Sequence, residues 1–124
     1  MTSRDPLTES IIGAAIEIRK RLGCGLLESA YHACLCIELE KRQLAFIEQP
    51  VLSIVYDGRR VDKAYKPDLI IEDKVIVELK TVSVFSAAHQ AQILTYLRLS
   101  GIHTGLLINF HAVPFRSGIK RFVM

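Results

Sequence analysis

No apolar run in this sequence approaches the ~20 residues that a membrane-spanning helix needs. The first residues hold no apolar core of a secretory signal. Its three cysteines, Cys24, Cys34 and Cys36, cannot all pair with one another. Together these features predict a chain of the reducing cytoplasm, without membrane partners. Cys34 and Cys36 are spaced as C-x-C, and on a helix such neighbours point well apart. They are expected to act as small buried hydrophobes rather than as a metal-binding pair. No internal repeat, linker or low-complexity segment interrupts the chain. No glycine loop of the phosphate-cradling kind supports a nucleotide cofactor. Basic charge is also in short supply. Lys and Arg number 16 against 13 Asp and Glu, for a formal net charge of +3 and a pI near 8.9. That tilts the chain only mildly toward anionic partners, far from a protein that coats DNA with a polybasic surface.

What is present is ample apolar material. Hydrophobic residues make up 50% of the 124 residues and charged residues 23%, which predicts one globular domain over 1–124 with a substantial core. Asp5-Pro6 opens a helix whose stripe is Leu7, Ile11, Ala15, Ile18 and Leu22, stopped by Gly23-Cys24-Gly25. A second helix is predicted from about Leu26 to Arg42, burying Leu27, Ala30, Cys34 and Leu35. Ala45 to Tyr56 reads as strand, broken at Gln49-Pro50 and turned at Asp57-Gly58. The polar stretch Arg59 to Ala64 reads as a short edge strand or loop. Ser86 caps a third helix that closes at Ser100-Gly101. Thr104 to Asn109 is an apolar strand of the kind buried on both faces, and Gly118 to Met124 offers a last strand. The order is α-α-β-β-β-α-β. The strand–helix–strand unit at its end predicts a parallel pair with a right-handed crossover. The fold class is thus mixed α/β, with helices packed on a mixed sheet.

The most informative segment is a hairpin. Lys66-Pro67-Asp68 leads into one apolar strand, Glu72-Asp73-Lys74 forms the turn, and Glu78-Leu79-Lys80 ends the next. Pairing Ile71 with Val75 puts Asp68 directly opposite Glu78, with Cβ atoms roughly 5 Å apart on one face. Lys80 shares that face. The other face is Leu69, Ile71, Val75, Val77 and Leu79. Two facing carboxylates repel unless a cation lies between them. Two acids and a lysine at the end of an apolar hairpin suit a divalent metal ion and a phosphodiester.

Other groups lie at spacings that can join this site. Glu28 and Tyr31 stand at i and i+3 in Gly25-x-x-Glu28-x-x-Tyr31. Gln92 and Tyr96 stand at i and i+4 on the third helix, with His89 one turn earlier. At these residues the chain resembles the PD-(D/E)xK nuclease superfamily. Pro67-Asp68 matches its PD element and Glu78-Leu79-Lys80 its ExK element. Gln92-Ile-Leu-Thr-Tyr96 matches the QxxxY motif of the RecB-like branch, and Gly25 to Tyr31 looks like the signature of the small prokaryotic GxxExxY proteins. The resemblance implies a restriction-endonuclease-like αβββαβ core with an extra N-terminal helix. It further implies that Asp68, Glu78, the Leu79 carbonyl and Glu28 bind Mg²⁺ or Mn²⁺. By the same resemblance Lys80 acts on the attacking water and the developing charge, while Gln92 and Tyr96 align site and substrate. Hard oxygen ligands fit such an ion independently.

The function expected is therefore a metal-dependent nuclease acting on DNA ahead of RNA. The alternative is a non-catalytic nucleic-acid-binding or assembly subunit on the same fold, since no long DNA-binding insertion is present. On that reading the chain works as a homo-oligomer or beside a partner subunit. Asp68, Glu78 and Lys80 also read as a surface ion-pair cluster, which contributes only ~0–1 kcal/mol when exposed. Tyr31 and Tyr96 read as packing residues whose hydroxyls find one partner, and His89 as a satisfied interfacial histidine. His32, His103 and His111 show no partner in the sequence. The basic run Arg59, Arg60, Lys63 and Lys66 is a solvated edge or a contact to a nucleic-acid backbone, and Arg116, Lys120 and Arg121 read the same two ways.

Overall fold

A computed structural model describes residues 5–124, with only the backbone for Lys63 and Ala64. Helix α1 spans Pro6–Leu22. Asp5 caps it, accepting from Leu7 N at 3.2 Å and from the Thr8 hydroxyl at 2.9 Å, which satisfies donors that the first turn leaves open. Its buried stripe is Ile11, Ala14, Ala15 and Ile18. Leu22, in the last turn, is 45% exposed. Helix α2 spans Glu28–Lys41 and so begins later than Leu26. Leu27 is its extended N-cap residue and therefore lies off the helical stripe, 77% exposed. The core is reached instead by Tyr31, Leu35 and Leu39, and Ala30 is half-buried.

Past α2 the chain runs β1 (Phe46–Glu48), β2 (Leu52–Tyr56), β3 (Arg59–Tyr65), β4 (Leu69–Ile71) and β5 (Val75–Lys80). Helix α3 (Ala87–Ser100), β6 (Thr104–Asn109), a short 3₁₀ helix (Phe115–Gly118) and β7 (Ile119–Val123) complete it. The sheet is five-stranded in the order β1-β4-β5-β6-β7. Strands β5 and β6 are parallel, as the helix between them requires, and the other pairs are antiparallel. The break at Gln49-Pro50 has a larger effect than a kink: it sends β1 and β2 into different sheets. Among the described residues, strands β2 and β3 pair only with each other, as a hairpin inserted between β1 and β4. Its turn is left-handed at Asp57 (φ 52°) and Gly58 (φ 73°), the conformation a tight hairpin needs. Arg59 to Tyr65 is thus a full strand.

The sheet separates two apolar layers. Leu69, Ile71, Val75, Val77 and Leu79 face α1 and α2, joined by Leu106, Ile108 and Phe110. Ile70 and Ile76, from the alternate positions, pack with Tyr96 and Leu97 of α3. Two-residue periodicity therefore decides which side chains of β5 meet which helix. Ser86 caps α3 through His89 N at 3.3 Å, and Gly101 ends it in the left-handed region (φ 75°). Close to the sheet, a Cβ on Gly118 would overlap the Ala112 Cβ and lie 2.7 Å from the Asn109 carbonyl oxygen. Gly118→Ala should accordingly cost ~1–3 kcal/mol and lower Tm by roughly 5–10 °C in a melt followed by circular dichroism. An unchanged Tm would mean that this packing is looser than drawn.

Candidate active site

The β4–β5 hairpin builds the centre of the site. Its register pairs Ile71 with Val75 and Leu69 with Val77, and one step further sets Asp68 opposite Glu78. The turn holds Glu72 and Asp73 at positive φ (both 56°). This is uncommon for such residues, and Ala45 stabilises it. The Glu72 carboxylate accepts from Ala45 N at 2.6 Å, while Glu72 N donates to Ala45 O at 2.8 Å.

The two acids do not simply face and repel each other. Asp68 N donates to Glu78 Oε1 at 3.0 Å, and Leu79 N donates to Asp68 Oδ2 at 2.7 Å. Each carboxylate is thus held by the backbone of the opposite strand. Lys80 Nζ stands 3.5 Å from Glu78 Oε2. Glu78 is 5% exposed. Burial, reinforced by the negative charge of Asp68, pushes its carboxyl up to about 7. Burial raises Asp68 as well, against the lowering pull of the Leu79 N–H, His32 and Lys80. Glu78 is thus buried and Asp68 half-buried, and together they offer hard oxygens with a single lysine to balance them, a set that matches a hard divalent cation. Leu79 buries its side chain against α1 and α2. Its N–H points at Asp68, and strand geometry sends its carbonyl to the same edge.

Glu28 enters from α2 as the first residue of the helix. Burial first, and the Asp68 charge second, raise its carboxyl, with Lys80 pulling the other way. The G-x-x-E-x-x-Y spacing has a physical cause. Tyr31 is fully buried and stacks on Phe110, centroids 4.3 Å apart. Its hydroxyl donates to Gly23 O at 2.6 Å and accepts from Leu26 N at 3.3 Å. His111 Nε2 donates to Leu26 O at 3.0 Å. The loop before Glu28 is thus pinned from two sides, with Gly25 at φ 105° where a side chain would be strained. His111 therefore has a partner. So do His32, 2.8 Å from Glu48, and His103, whose Nδ1 lies 2.9 Å from the Met124 carbonyl.

Helix α3 brings Gln92 and Tyr96 to the same end of the sheet. Tyr96 is 3% exposed, and its ring packs edge-on to Tyr65 at 6.3 Å. Burial, with Glu78 and Asp68 next in effect, pushes its phenol up, and the Gln92 side chain is its hydrogen-bond neighbour. The Tyr96 hydroxyl donates to Lys66 O at 3.4 Å, just before buried Pro67. His89 instead turns back on its own helix, accepting from Ser86 N at 3.1 Å through Nδ1. It completes the helix cap and is not directed at the acids.

Two groups went unread in the sequence. Asn109 is 2% exposed and stands beside Lys80 in the parallel register. Its Oδ1 accepts from Val82 N and His111 N, both at 3.1 Å, and its Nδ2 donates to Val82 O at 2.7 Å. It fixes the chain as it leaves Lys80. The only signal was a polar residue ending an apolar strand. His32 is the other, since it stands close enough to lower the carboxyls of both Asp68 and Glu28. A cavity of about 410 Å³ is lined by Glu28, Ser29, His32, Glu48, Gln49 and Asp68. On the β2–β3 hairpin, Arg59 is exposed at the turn and Arg60 is tied to Asp62 at 2.5 Å. The Lys63 side chain lies outside the described residues.

No curated protein matches the chain. A solved structure, the crystal structure of SSO0001, is similar at 16% identity and a TM-score of 0.48. The similarity covers 88% of this chain, which spans 63% of that one. No helix among the described residues is long and apolar enough to cross a membrane. A family profile described as the PD-(D/E)XK nuclease superfamily matches residues 5–122. That span takes in both helices of the α1/α2 layer, the acid-bearing hairpin and the parallel β5–β6 pair. With its five-stranded mixed sheet flanked by helices, a restriction-endonuclease-like arrangement, the chain belongs to the PD-(D/E)XK nuclease superfamily.

Proposed function

We propose that the chain is a metal-dependent nuclease that hydrolyses phosphodiester bonds in DNA, ahead of RNA. Within the superfamily we place it with the small GxxExxY proteins of the RecB-like QxxxY branch, as one domain over 1–124. The observation that carries the activity is the Asp68–Glu78 pair, crossed by backbone bonds of 3.0 and 2.7 Å, with Lys80 Nζ 3.5 Å from Glu78.

Asp68, Glu78 and the Leu79 carbonyl, with Glu28 from α2, would hold Mg²⁺ or Mn²⁺. When bound, such an ion supplies Lewis acidity toward the phosphate and a more acidic water. Lys80 orients the attacking water and offsets negative charge as it grows on the phosphate. Tyr96, kept as a phenol, and Gln92 hydrogen-bond the substrate and hold the Lys66–Asp68 segment in place. Arg59 and Arg60, on a hairpin that leads straight into Asp68, take backbone phosphates.

The test uses labelled single- and double-stranded DNA with Mg²⁺, Mn²⁺ or EDTA. Cleavage should need the metal and should vanish in Asp68→Asn. In calorimetry the wild type should bind Mn²⁺ and Asp68→Asn should bind little. Equal binding by both would sink the site as drawn. Metal binding and DNA binding without cleavage would favour the assembly-subunit reading.

A further inference from the structure

Helix α2 carries a second set of ligating atoms on the far side of the Glu28 cavity. His32 and Cys36 stand at i and i+4 and share a helix face. Glu48, the last residue of edge strand β1, meets them there. A ring nitrogen of His32, Cys36 Sγ and a Glu48 carboxylate oxygen all lie within 4.8 Å of one another. Among the described residues they are the group of His, Cys, Asp and Glu so placed. Asp68 and Glu78 offer hard oxygen alone. This set offers one nitrogen, one sulfur and one oxygen, which favours a borderline metal over Mg²⁺.

We propose that His32, Cys36 and Glu48 form a Zn²⁺-class site that staples α2 to the edge of the sheet. Ligand bonds of about 2.0–2.3 Å put tetrahedral ligand atoms roughly 3.3–3.6 Å apart. The 2.8 Å His32–Glu48 contact therefore opens by about half an ångström as the ion enters. Glu48 is exposed and free to make that movement, and Cys36 is partly buried against the core. With three protein ligands, a fourth position is left for water or an anion. His32 and Glu48 both line the cavity that Glu28 and Asp68 share. A bound ion would set a fixed positive charge beside that cavity. Binding releases the Cys36 thiol proton to solvent, so affinity should rise with pH. Without metal, burial and the Glu48 carboxylate push that thiol up to about 12.

The C-x-C spacing is no part of this site, since Cys34 points elsewhere on the helix. The inference is also independent of the nuclease reading, because it uses neither Asp68 nor Glu78.

Co²⁺ is the probe, followed by its thiolate-to-metal absorption in the near ultraviolet, with Zn²⁺ as competitor. The wild type should show the band, and Zn²⁺ should displace it. Zn²⁺ should also raise Tm by several degrees. Cys36→Ala should lose the band, and Glu48→Gln, an exposed change that leaves the core intact, should bind at least about tenfold more weakly. Cys24→Ser should keep both band and affinity, and Asp68→Asn should keep the band. A band that survives in Cys36→Ala, disappears in Cys24→Ser or disappears in Asp68→Asn would overturn the site. So would its absence from the wild type.

Discussion

Lys80→Ala should bind Mn²⁺ and DNA much as the wild type does and cleave at least about a hundredfold more slowly, a loss of ~3 kcal/mol. The reason lies in what an ammonium can do. A protonated amine has no lone pair for a metal. Lys80 therefore acts on the water and on the phosphate, where charge grows only in the transition state. Its Nζ is 3.5 Å from Glu78 Oε2, and the side chain is 18% exposed, so it is held rather than mobile. Lys80 also pulls the Glu78 carboxyl down. The variant should be compared with the wild type at about pH 8.5, where Glu78 stays ionised in both. Single-turnover rates separate chemistry from product release. Loss of Arg59 or Arg60 should instead weaken binding and its salt dependence, with less effect on the chemical step. A Lys80→Ala protein that cuts at the wild-type rate would remove the lysine from the reaction and move the binding-subunit reading to first place.

Glu78→Gln should abolish metal binding and cleavage while leaving the metal-free protein as stable as before, or more so. Folding raises the Glu78 carboxyl from 4.5 to about 7. Between those values the folded state holds a proton that the unfolded chain releases. The contribution of Glu78 is thus most favourable below pH 4.5 and is lost as pH rises through about 7. At pH 8 the wild type carries a buried carboxylate at a cost on the order of 3 kcal/mol. Glutamine carries no charge, and its amide oxygen can still accept from Asp68 N, where Glu78 Oε1 now accepts at 3.0 Å. The gain in Tm for Glu78→Gln should be largest near pH 8 and shrink toward pH 4.5. The same protonation predicts that Mn²⁺ affinity of the wild type rises between pH 6 and 8. A fall of several degrees at pH 8 in Glu78→Gln would instead make the Glu78–Lys80 contact a structural ion pair.

Much of this fold was legible because its signals are local. The hairpin register follows from one turn and a period of two, so Ile71–Val75 fixed where Asp68 and Glu78 stand. Ser86, Asp5 and Gly101 marked helix ends through capping chemistry that neighbouring residues decide. What was not legible depends on contacts between distant segments. The Gln49-Pro50 break gives no sign that β2 and β3 will leave the sheet. Leu27 looks like a core residue until the loop before it is pinned by Tyr31 and His111, which makes it a cap. His89 has the spacing of a site residue, yet a backbone N–H three residues away claims its ring. Asn109, His32 and Glu48 are single polar residues in the sequence. Only the fold brings Asn109 to Val82 and His32 to Glu48. The electrostatic reading of the acids was also incomplete: repulsion was predictable from their type, but the crossed backbone donors that restrain them depend on strand geometry.

The two hairpins differ in how much change of length they tolerate. An insertion of one residue after the Glu72–Lys74 turn would carry Glu78 and Lys80 to the face of β5 now filled by Val77 and Leu79. Both charges would then enter the α1/α2 core, and the reactive set would disappear in one step. At Asp57-Gly58 the chain turns in solvent, between strands that pair with each other in a two-stranded sheet of their own. Residues added there shift no acid. Evolution of this scaffold is therefore free to lengthen or reshape one hairpin, and with it the reach toward a substrate, while the other stays locked in length by its chemistry.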